Sequence, residues 1–356
     1  MKVLHAPLNY GSLASHSVRL LRDAGIDARG LVFSSSFVQS SDNIETILDE
    51  YGTKSARLRT YLRQAAALLR HLVLDRPDIV HWYFGHKALP FALDIALLRL
   101  LRIPRLVEWQ GSDIRDPQFE AHENRYYAEA WENGYEYRDF ENAQTALVRQ
   151  IEFARAGFSC AAPVGMLQYV QKDVFPRVHV IPQRLMISDY DPSFPSVNTT
   201  TPLVVHSPSA PVTKGTDAVL KAVESLRSHC NFEFKLIQGL PRAEALALVA
   251  RADIFLDQFV LGDRGMAALE AMAMGKPVIC YIKPSIAPHY PGSPIVNATQ
   301  ETLPAVLNWL IADAQIRHDL GIQSRDYIEK VYDPKRLVSE LVDAYKAVIA
   351  DAQPHR

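Results

Sequence analysis

Apolar residues recur along this chain in two registers. Short runs dense in Val, Ile and Leu alternate with longer stretches whose apolar positions return every three or four residues. In the first half, Lys2–Leu8, Ala28–Ser35, Asp78–Tyr83 and Arg105–Gln110 read as strands. Ala14–Ala24, closed by Gly25, about Ser55–Leu74, and Lys87–Arg102 read as helices. The aromatic and acidic stretch Glu120–Asp139 predicts one or two helices. Phe158–Ala162 and Arg177–Ile181 predict short strands, with Met166–Gln171 helical between them. A second alternation begins at Leu203. Strands at 203–209, 232–239, Ile254–Phe259 and Pro277–Tyr281 are spaced by helices Thr216–Arg227, Arg242–Arg251 and Gly265–Met274. Ser293–Ala298 predicts one more strand. Three helical patterns close the chain, the last two broken at Pro334. Strands written as continuous apolar runs between helices predict parallel sheets covered on both faces.

The stretch Ser188–Pro202 is rich in Pro, Ser, Thr and Asn and predicts a linker. It divides the chain into 1–187, 203–334 and a closing helix, 335–356. The length of 356 residues agrees with two domains at about 150 residues each. Apolar residues at 48% and charged residues at 22% exclude disorder as the main state. A formal charge of -2 argues against a surface that grips nucleic acid as a whole. Cys160, Cys230 and Cys280 lack any CxxC or His/Cys spacing, which points to a reducing compartment without a structural zinc site. The longest apolar stretch, 88–102, is interrupted by Asp94 and Arg99, too broken for a lone membrane span. With no signal-peptide pattern at Met1, a cytoplasmic protein is expected.

Six segments carry candidate chemistry. In Ala252–Cys280, a strand runs through a glycine-containing loop into a helix opened at Gly265. Free N–H groups at a helix start suit phosphate. Glu270, five residues on, can reach ribose hydroxyls or remain an ordinary helix carboxylate. In His206–Thr216, Lys214 stands at the turn into a helix, either as a phosphate contact or as a solvated lysine. His206 ends a strand and can equally be a core histidine. Gly11, with Ser12, turns the first strand into the first helix, where backbone approach to a ligand and plain turn formation both fit. Two loops, one with His81 and His86, the other with Gln110, Ser112, Asp113 and Arg115, leave adjacent strand ends. Asp113 can accept from a sugar hydroxyl and Arg115 can meet an anion. The basic stretch Tyr51–Leu74 carries Lys54, Arg57, Arg59, Arg63 and Arg70 without an acid, and an apolar stripe of Leu58, Leu62, Ala65, Leu69 and Leu72. It suits an anionic membrane surface through residues 54–72, or a core-packed helix with a solvated basic face. The acidic pair Asp189 and Asp191 falls in the linker, and no metal site is expected.

From Leu203 to about Tyr332 most closely, and from Met1 to Gln183 in order, the chain resembles the retaining GT-B glycosyltransferases of the family 4-like group (glycosyl transferases group 1). The resemblance implies two facing Rossmann-like domains with a cleft, an acceptor-side domain at 1–187 and a nucleotide-sugar domain at 203–334. It implies retaining hexosyl transfer from a nucleotide-diphosphate sugar to a glycan, lipid-linked glycan or small-molecule acceptor, without a metal cofactor. By resemblance, Gly265, Met266 and Ala267 bind the diphosphate, Glu270 the ribose and Lys214 the phosphate. Gly11 and the Gln110–Asp113 loop lie beside the sugar, and 335–350 crosses back to the first domain. Three positions depart from the pattern. Gly262 stands where a paired glutamate is common, Ser209 where a basic residue precedes the lysine, and Gln110 where a histidine is common. Asp263, Arg264 and His206 are the available substitutes. The departures also admit a non-catalytic nucleotide-sugar-binding or partner protein, and the fold admits a nucleotide-sugar epimerase.

Overall fold

The computed structural model describes residues 1–34, 41–48 and 53–352. Ser35, expected to end a strand, Tyr51 and Gly52 of the basic stretch, and residues 353–356 lie outside them. The chain forms two compact units. The first comprises Met1–Asp116, Phe140–Arg184 and Pro334–Arg356; the second comprises Pro117–Asp139 and Leu185–Asp333. The chain therefore passes from one unit to the other four times.

The elements follow in chain order. They begin with β1 (Lys2–Ala6), α1 (Leu13–Asp23), β2 (Asp27–Val32), β3 (Glu45–Thr46), α2 (Lys54–Arg70) and β4 (Ile79–Tyr83). Next come α3 (Leu93–Leu100), β5 (Arg105–Glu108), α4 (Pro117–Glu123), α5 (Arg125–Glu132), α6 (Ala143–Arg155), β6 (Ser159–Ala162) and β7 (Val178–Val180). The first unit's strands form a parallel sheet in the order β3-β2-β1-β4-β5-β6-β7. Successive side chains of a strand serve opposite faces. Thus Leu4 joins a core with Leu68 of α2, Leu98 of α3 and Phe153 of α6, while its neighbour Val3 packs with Val18 and Leu21 of α1. The helix α6 has no counterpart in the sequence reading. Its buried stripe of Ala146, Gln150 and Phe153 includes a polar residue, which blurs the period. Gln150 is at home there because its amide bonds the Tyr169 carbonyl and accepts from Gln171 N.

The second unit continues with β8 (Leu203–His206), α7 (Pro211–Lys214), α8 (Thr216–Leu226), β9 (Glu233–Leu236), α9 (Arg242–Arg251) and β10 (Ile254–Leu256). It ends with α10 (Met266–Ala273), β11 (Val278–Cys280), β12 (Val296–Asn297), α11 (Leu303–Ala312) and α12 (Ala314–Val331). Its parallel sheet has the order β12-β11-β10-β8-β9. The last helix, α13 (Pro334–Ala352), belongs to the first unit. There Leu341, Ala344, Tyr345 and Val348 pack with Val3, Ile79 and Leu106 on the α1 face.

Two segments differ from their sequence-order placement. Residues 117–139 precede the linker yet belong to the second unit, where Tyr127, Ala130 and Tyr135 pack with Val260 and polar contacts add to the hold. Lys283 Nζ bonds both Glu120 carboxylate oxygens at 2.7 Å, a buried pair. Asn124 Nδ2 donates to Val260 O at 2.6 Å. The Glu136 carboxylate accepts from the amides of Val212 and Thr213 at the start of α7. The segment 188–202 is a strap bound to the second unit. Arg325 donates to Tyr190 O and Arg317 to Thr199 O, each at 2.7 Å, and Ser193 N donates to Met274 O at 2.9 Å.

Each sheet has one place where its strand order reverses: between β1 and β4 in the first, between β8 and β10 in the second. Ligands of open parallel sheets sit at the carboxyl ends of strands there.

Candidate functional site

In the second unit, β10 ends at Leu256 and the next residue, Asp257, is buried. Its carboxylate receives three donors at the reversal point, one of them the buried Cys280 thiol, with Sγ 3.6 Å from Oδ2. Lys214 Nζ, at the end of α7, lies 3.3 Å from Oδ1, and the Gly265 amide donates to Oδ2 at 2.7 Å. Gly265 is the N-cap of α10 and offers no side-chain cap, so the amides of Met266 and Ala267, in the first turn, have no partner within the helix. A Cβ at Gly265 would stand 2.7 Å from Lys214 Nζ and 3.2 Å from Asp257 Oδ1 and would displace the ammonium from its present seat. The ammonium has three donors. Lys214, its side chain 16% exposed, spends one of them on Asp257.

Glu270 lies about one and a half turns into α10. Its Oε1 accepts from Arg242 Nη2 at 2.7 Å and from Tyr190 OH at 3.1 Å. Arg242 also donates to Tyr190 OH at 2.9 Å, so the three groups fix one another. Burial raises the Tyr190 hydroxyl's pKa, and the adjoining Glu270 charge raises it further, so Tyr190 remains a donor.

Three expected contacts stand elsewhere. His206 is fully buried, with Nδ1 2.9 Å from Leu256 O and Nε2 3.1 Å from Thr216 Oγ1. A carbonyl only accepts, so Nδ1 carries the proton and Nε2 accepts from Thr216. Burial pushes this imidazole down to about 4 and keeps it neutral. With both nitrogens spent inside the sheet, His206 has no atom left for a ligand. Asp263 accepts from Tyr290 OH at 2.8 Å and from Arg264 N at 2.7 Å. Burial, opposed by the Arg264 charge, raises its carboxyl. Arg264 is buried with its guanidinium 4.0 Å from the Tyr290 ring centre. Gly262, at φ 70, lies against Lys283, into whose side chain a Cβ would run. A glutamate at this position would be strained in its dihedral and would have to displace the Lys283 side chain.

In the first unit, Gly11 (φ 53) and Ser12 (φ 63) form the left-handed turn between β1 and α1. Asn9 Oδ1 accepts from Ser15 N and caps the helix. Beside the turn, Tyr10 stacks on Phe84 just past β4, with ring centres 4.5 Å apart and planes 4° from parallel. In the next loop, Asp113 accepts from Gly111 N at 2.8 Å and Gln110 N at 3.1 Å. Burial raises its carboxyl to about 6 against the pull of those amides. Its carboxylate thus shapes the loop. Gln110 Nε2 is buried without a hydrogen-bond partner among the described residues. An orphaned donor of this kind calls for a ligand or water oxygen.

His81 and Arg115 are not on an open surface. His81 is buried, with Nδ1 2.7 Å from Tyr345 OH and Nε2 2.8 Å from Glu108 Oε2. Glu108 is clasped by both Arg184 terminal nitrogens at 2.6 Å, and Arg184 Nε donates to Ser17. Burial pushes the Glu108 carboxyl up, but Arg184 and His81 outweigh it and hold it at about 2. Arg115 is bound to Glu141 in the interior. His86 is exposed, its carbonyl accepting from Trp82 Nε1. Sequence reasoning did not single out Asp257, Arg242, Tyr190 or the Tyr10–Phe84 pair. Asp257 offered a signal, an acid closing an apolar strand run. Among the described residues, no group of His, Cys, Asp and Glu could hold a metal ion.

No protein-family model and no curated protein matches the chain. Solved structures do. Sucrose-phosphate synthase from Thermosynechococcus elongatus superposes with a TM-score of 0.65 at 12% identity, over 99% of this chain and 100% of that chain. A glycosyltransferase from Rickettsia africae gives 0.60 at 12% identity, over 98% of each chain. "Trehalose-6-phosphate from E. coli bound with UDP-2-fluoro glucose" gives 0.60 at 12% identity, over 97% of this chain and 99% of that one. At this identity the likeness shows architecture: two Rossmann-like units of the GT-B type.

Proposed function

We propose that the protein transfers a hexosyl unit from a nucleotide-diphosphate sugar to an acceptor hydroxyl with retention of configuration, as a member of the family 4-like group. One observation carries the reading. At the reversal point of the second sheet, Lys214 Nζ and the Gly265 amide already converge on a carboxylate, with Glu270 one and a half turns along the same helix. That is an anion-binding geometry beside a group able to hold ribose.

The donor diphosphate takes the remaining Lys214 N–H groups and the first amides of α10. Arg242 and Tyr190 hold Glu270 by Oε1 and leave Oε2 for the ribose hydroxyls. As the sugar–phosphate bond breaks, charge grows on the leaving phosphate, where Lys214 stabilises it. The leaving oxygen takes the acceptor proton on the face that the acceptor attacks, so no protein base is needed. The first unit receives the sugar and acceptor on its strand-end loops. There the orphaned Gln110 Nε2 donates to a hydroxyl, and the Tyr10–Phe84 pair offers an apolar platform. Asp113 serves by keeping the loop's amides in place. The acceptor is a glycan, a lipid-linked glycan or a small molecule.

The test is a panel of nucleotide-diphosphate sugars, read by calorimetry and then by product detection. The best donor should bind Glu270→Ala at least about tenfold more weakly, the worth of a charged hydrogen bond; unchanged affinity removes the reading. The absence of a glutamate at Gly262, where one would be strained, motivates a second reading, a nucleotide-sugar binder without turnover. Donor binding with no product from any acceptor would establish that one.

A further inference from the structure

Helix α2 turns its small and polar side to its own sheet. Ala56, Thr60, Gln64, Ala67 and Leu68 face inward, whereas Leu58, Leu62 and Leu69 are 60%, 62% and 47% exposed. An amphipathic helix of a globular domain ordinarily buries its leucines. The inversion is tolerated because small residues permit close approach and the polar ones are satisfied: Thr60 Oγ1 donates to Ala56 O, and Gln64 Nε2 to Ile47 O. α3 packs on the same sheet face through Ile95 and Leu98 and also leaves large apolar residues outside. Leu93 and Leu100 are 55% and 77% exposed, and Phe91, at the entry to α3, is 97% exposed. Phe91 and Ala92 both adopt left-handed backbone, φ 57 and 54, which is costly for a bulky residue.

Charge says what covers this layer. From 54 to 70 the chain carries five basic residues and no acid. From 87 to 102 it carries Lys87, Arg99 and Arg102, and its one acid, Asp94, is buried as a cap for Ala88 N and Ile95 N. Arg70 and Lys87 have acidic partners, Glu45 and Glu152. The chain as a whole is slightly acidic, so this cationic, apolar face is a local concentration. A second copy of the same face would bring like charges together. An anionic bilayer meets both halves of the chemistry. No helix among the described residues is long and apolar enough to cross a membrane, so contact would be peripheral.

We propose that the α2–α3 layer docks on an anionic lipid bilayer. Leu58, Leu62, Phe91 and Leu100 enter the boundary between headgroups and acyl chains, and Arg57, Arg99 and Arg102 lie at the headgroups. The inference stands apart from the transfer reaction and is tested without a donor. Full-length protein is sedimented with phosphatidylcholine vesicles, with and without one-third phosphatidylglycerol. Binding should require phosphatidylglycerol and fall with salt. Replacing Arg57, Arg99 and Arg102 together by Gln should lower partitioning about 100-fold. Replacing Leu62, Phe91 and Leu100 together by Ser should lower it about tenfold or more. Both variants should melt as the parent does, since the altered side chains are exposed. Equal binding to both vesicle types, or unaltered binding of either variant, overturns the proposal. So does a concentration-dependent dimer, seen by light scattering, that the Ser variant abolishes, because the face would then belong to self-association.

Discussion

The two sheets reverse their strand order by the same topological device and use the resulting strand ends differently. In the first unit, Glu108 and Arg184 satisfy each other in the interior, with His81 2.8 Å from Glu108 and bound to Tyr345 on its other nitrogen. In the second, Lys214 and the start of α10 lean on Asp257 and keep donors in reserve. A polar cluster at a strand end is therefore not by itself a binding site. What distinguishes the two is whether the hydrogen-bonding capacity is exhausted. Glu108 has Arg184 on both oxygens and His81 2.8 Å away; among the described residues Lys214 has one partner, Asp257, for three N–H groups.

Removing one partner from the exhausted cluster should cost most. Glu108→Gln leaves Arg184 charged and buried, and denaturant unfolding should show a loss of about 3–5 kcal/mol. A loss under 1 kcal/mol would mean that the cluster is not the lock it resembles. Next comes a pH effect in the second sheet's core. The folded-state pKa of His206 is depressed to about 4, so the unfolded chain takes up the proton first as pH falls. Its contribution is complete above about 6.5 and lost toward pH 4, worth about 3 kcal/mol over that window. Unfolding free energies of parent and His206→Asn should converge across it; parallel curves would contradict a buried neutral imidazole. Lys214→Ala should lower turnover about 10- to 100-fold through lost stabilisation of the leaving phosphate, with a smaller change in donor affinity. An unchanged kcat would place Lys214 with the exhausted groups. Tyr10→Ala should be mildest, raising the acceptor KM a few-fold, as one aromatic face is worth about 0.5–1.5 kcal/mol.

The order of strands and helices was legible because central strands such as β4 and β10, covered on both faces, are written as apolar runs, whereas the two-residue β3 carries no such signal. The same covering hid the chemistry. In β4 every residue is buried, so the sequence could not distinguish His81, bound inward to Tyr345, from a residue facing a ligand. Nor could it show that Tyr190, in a stretch composed like a linker, holds Glu270 from 80 residues away in the chain. The glycine at 265 was readable as the opening of a helix. Its second role, making room for the Lys214 ammonium, is a matter of three-dimensional distance. The leucines of α2 were readable as a stripe, but which way a stripe faces depends on what the sheet offers opposite it.

The fourfold passage of the chain between its units bears on how the gene can be divided. A cut in the strap at 188–202 would give a front piece that keeps α4 and α5, which belong to the other unit, and lacks α13, which covers one face of its own sheet. The rear piece would carry α13 with no sheet beneath it and leave Lys283 without Glu120. Neither piece is a module, and exchanging halves with another protein of this architecture would require five segments to be spliced rather than two.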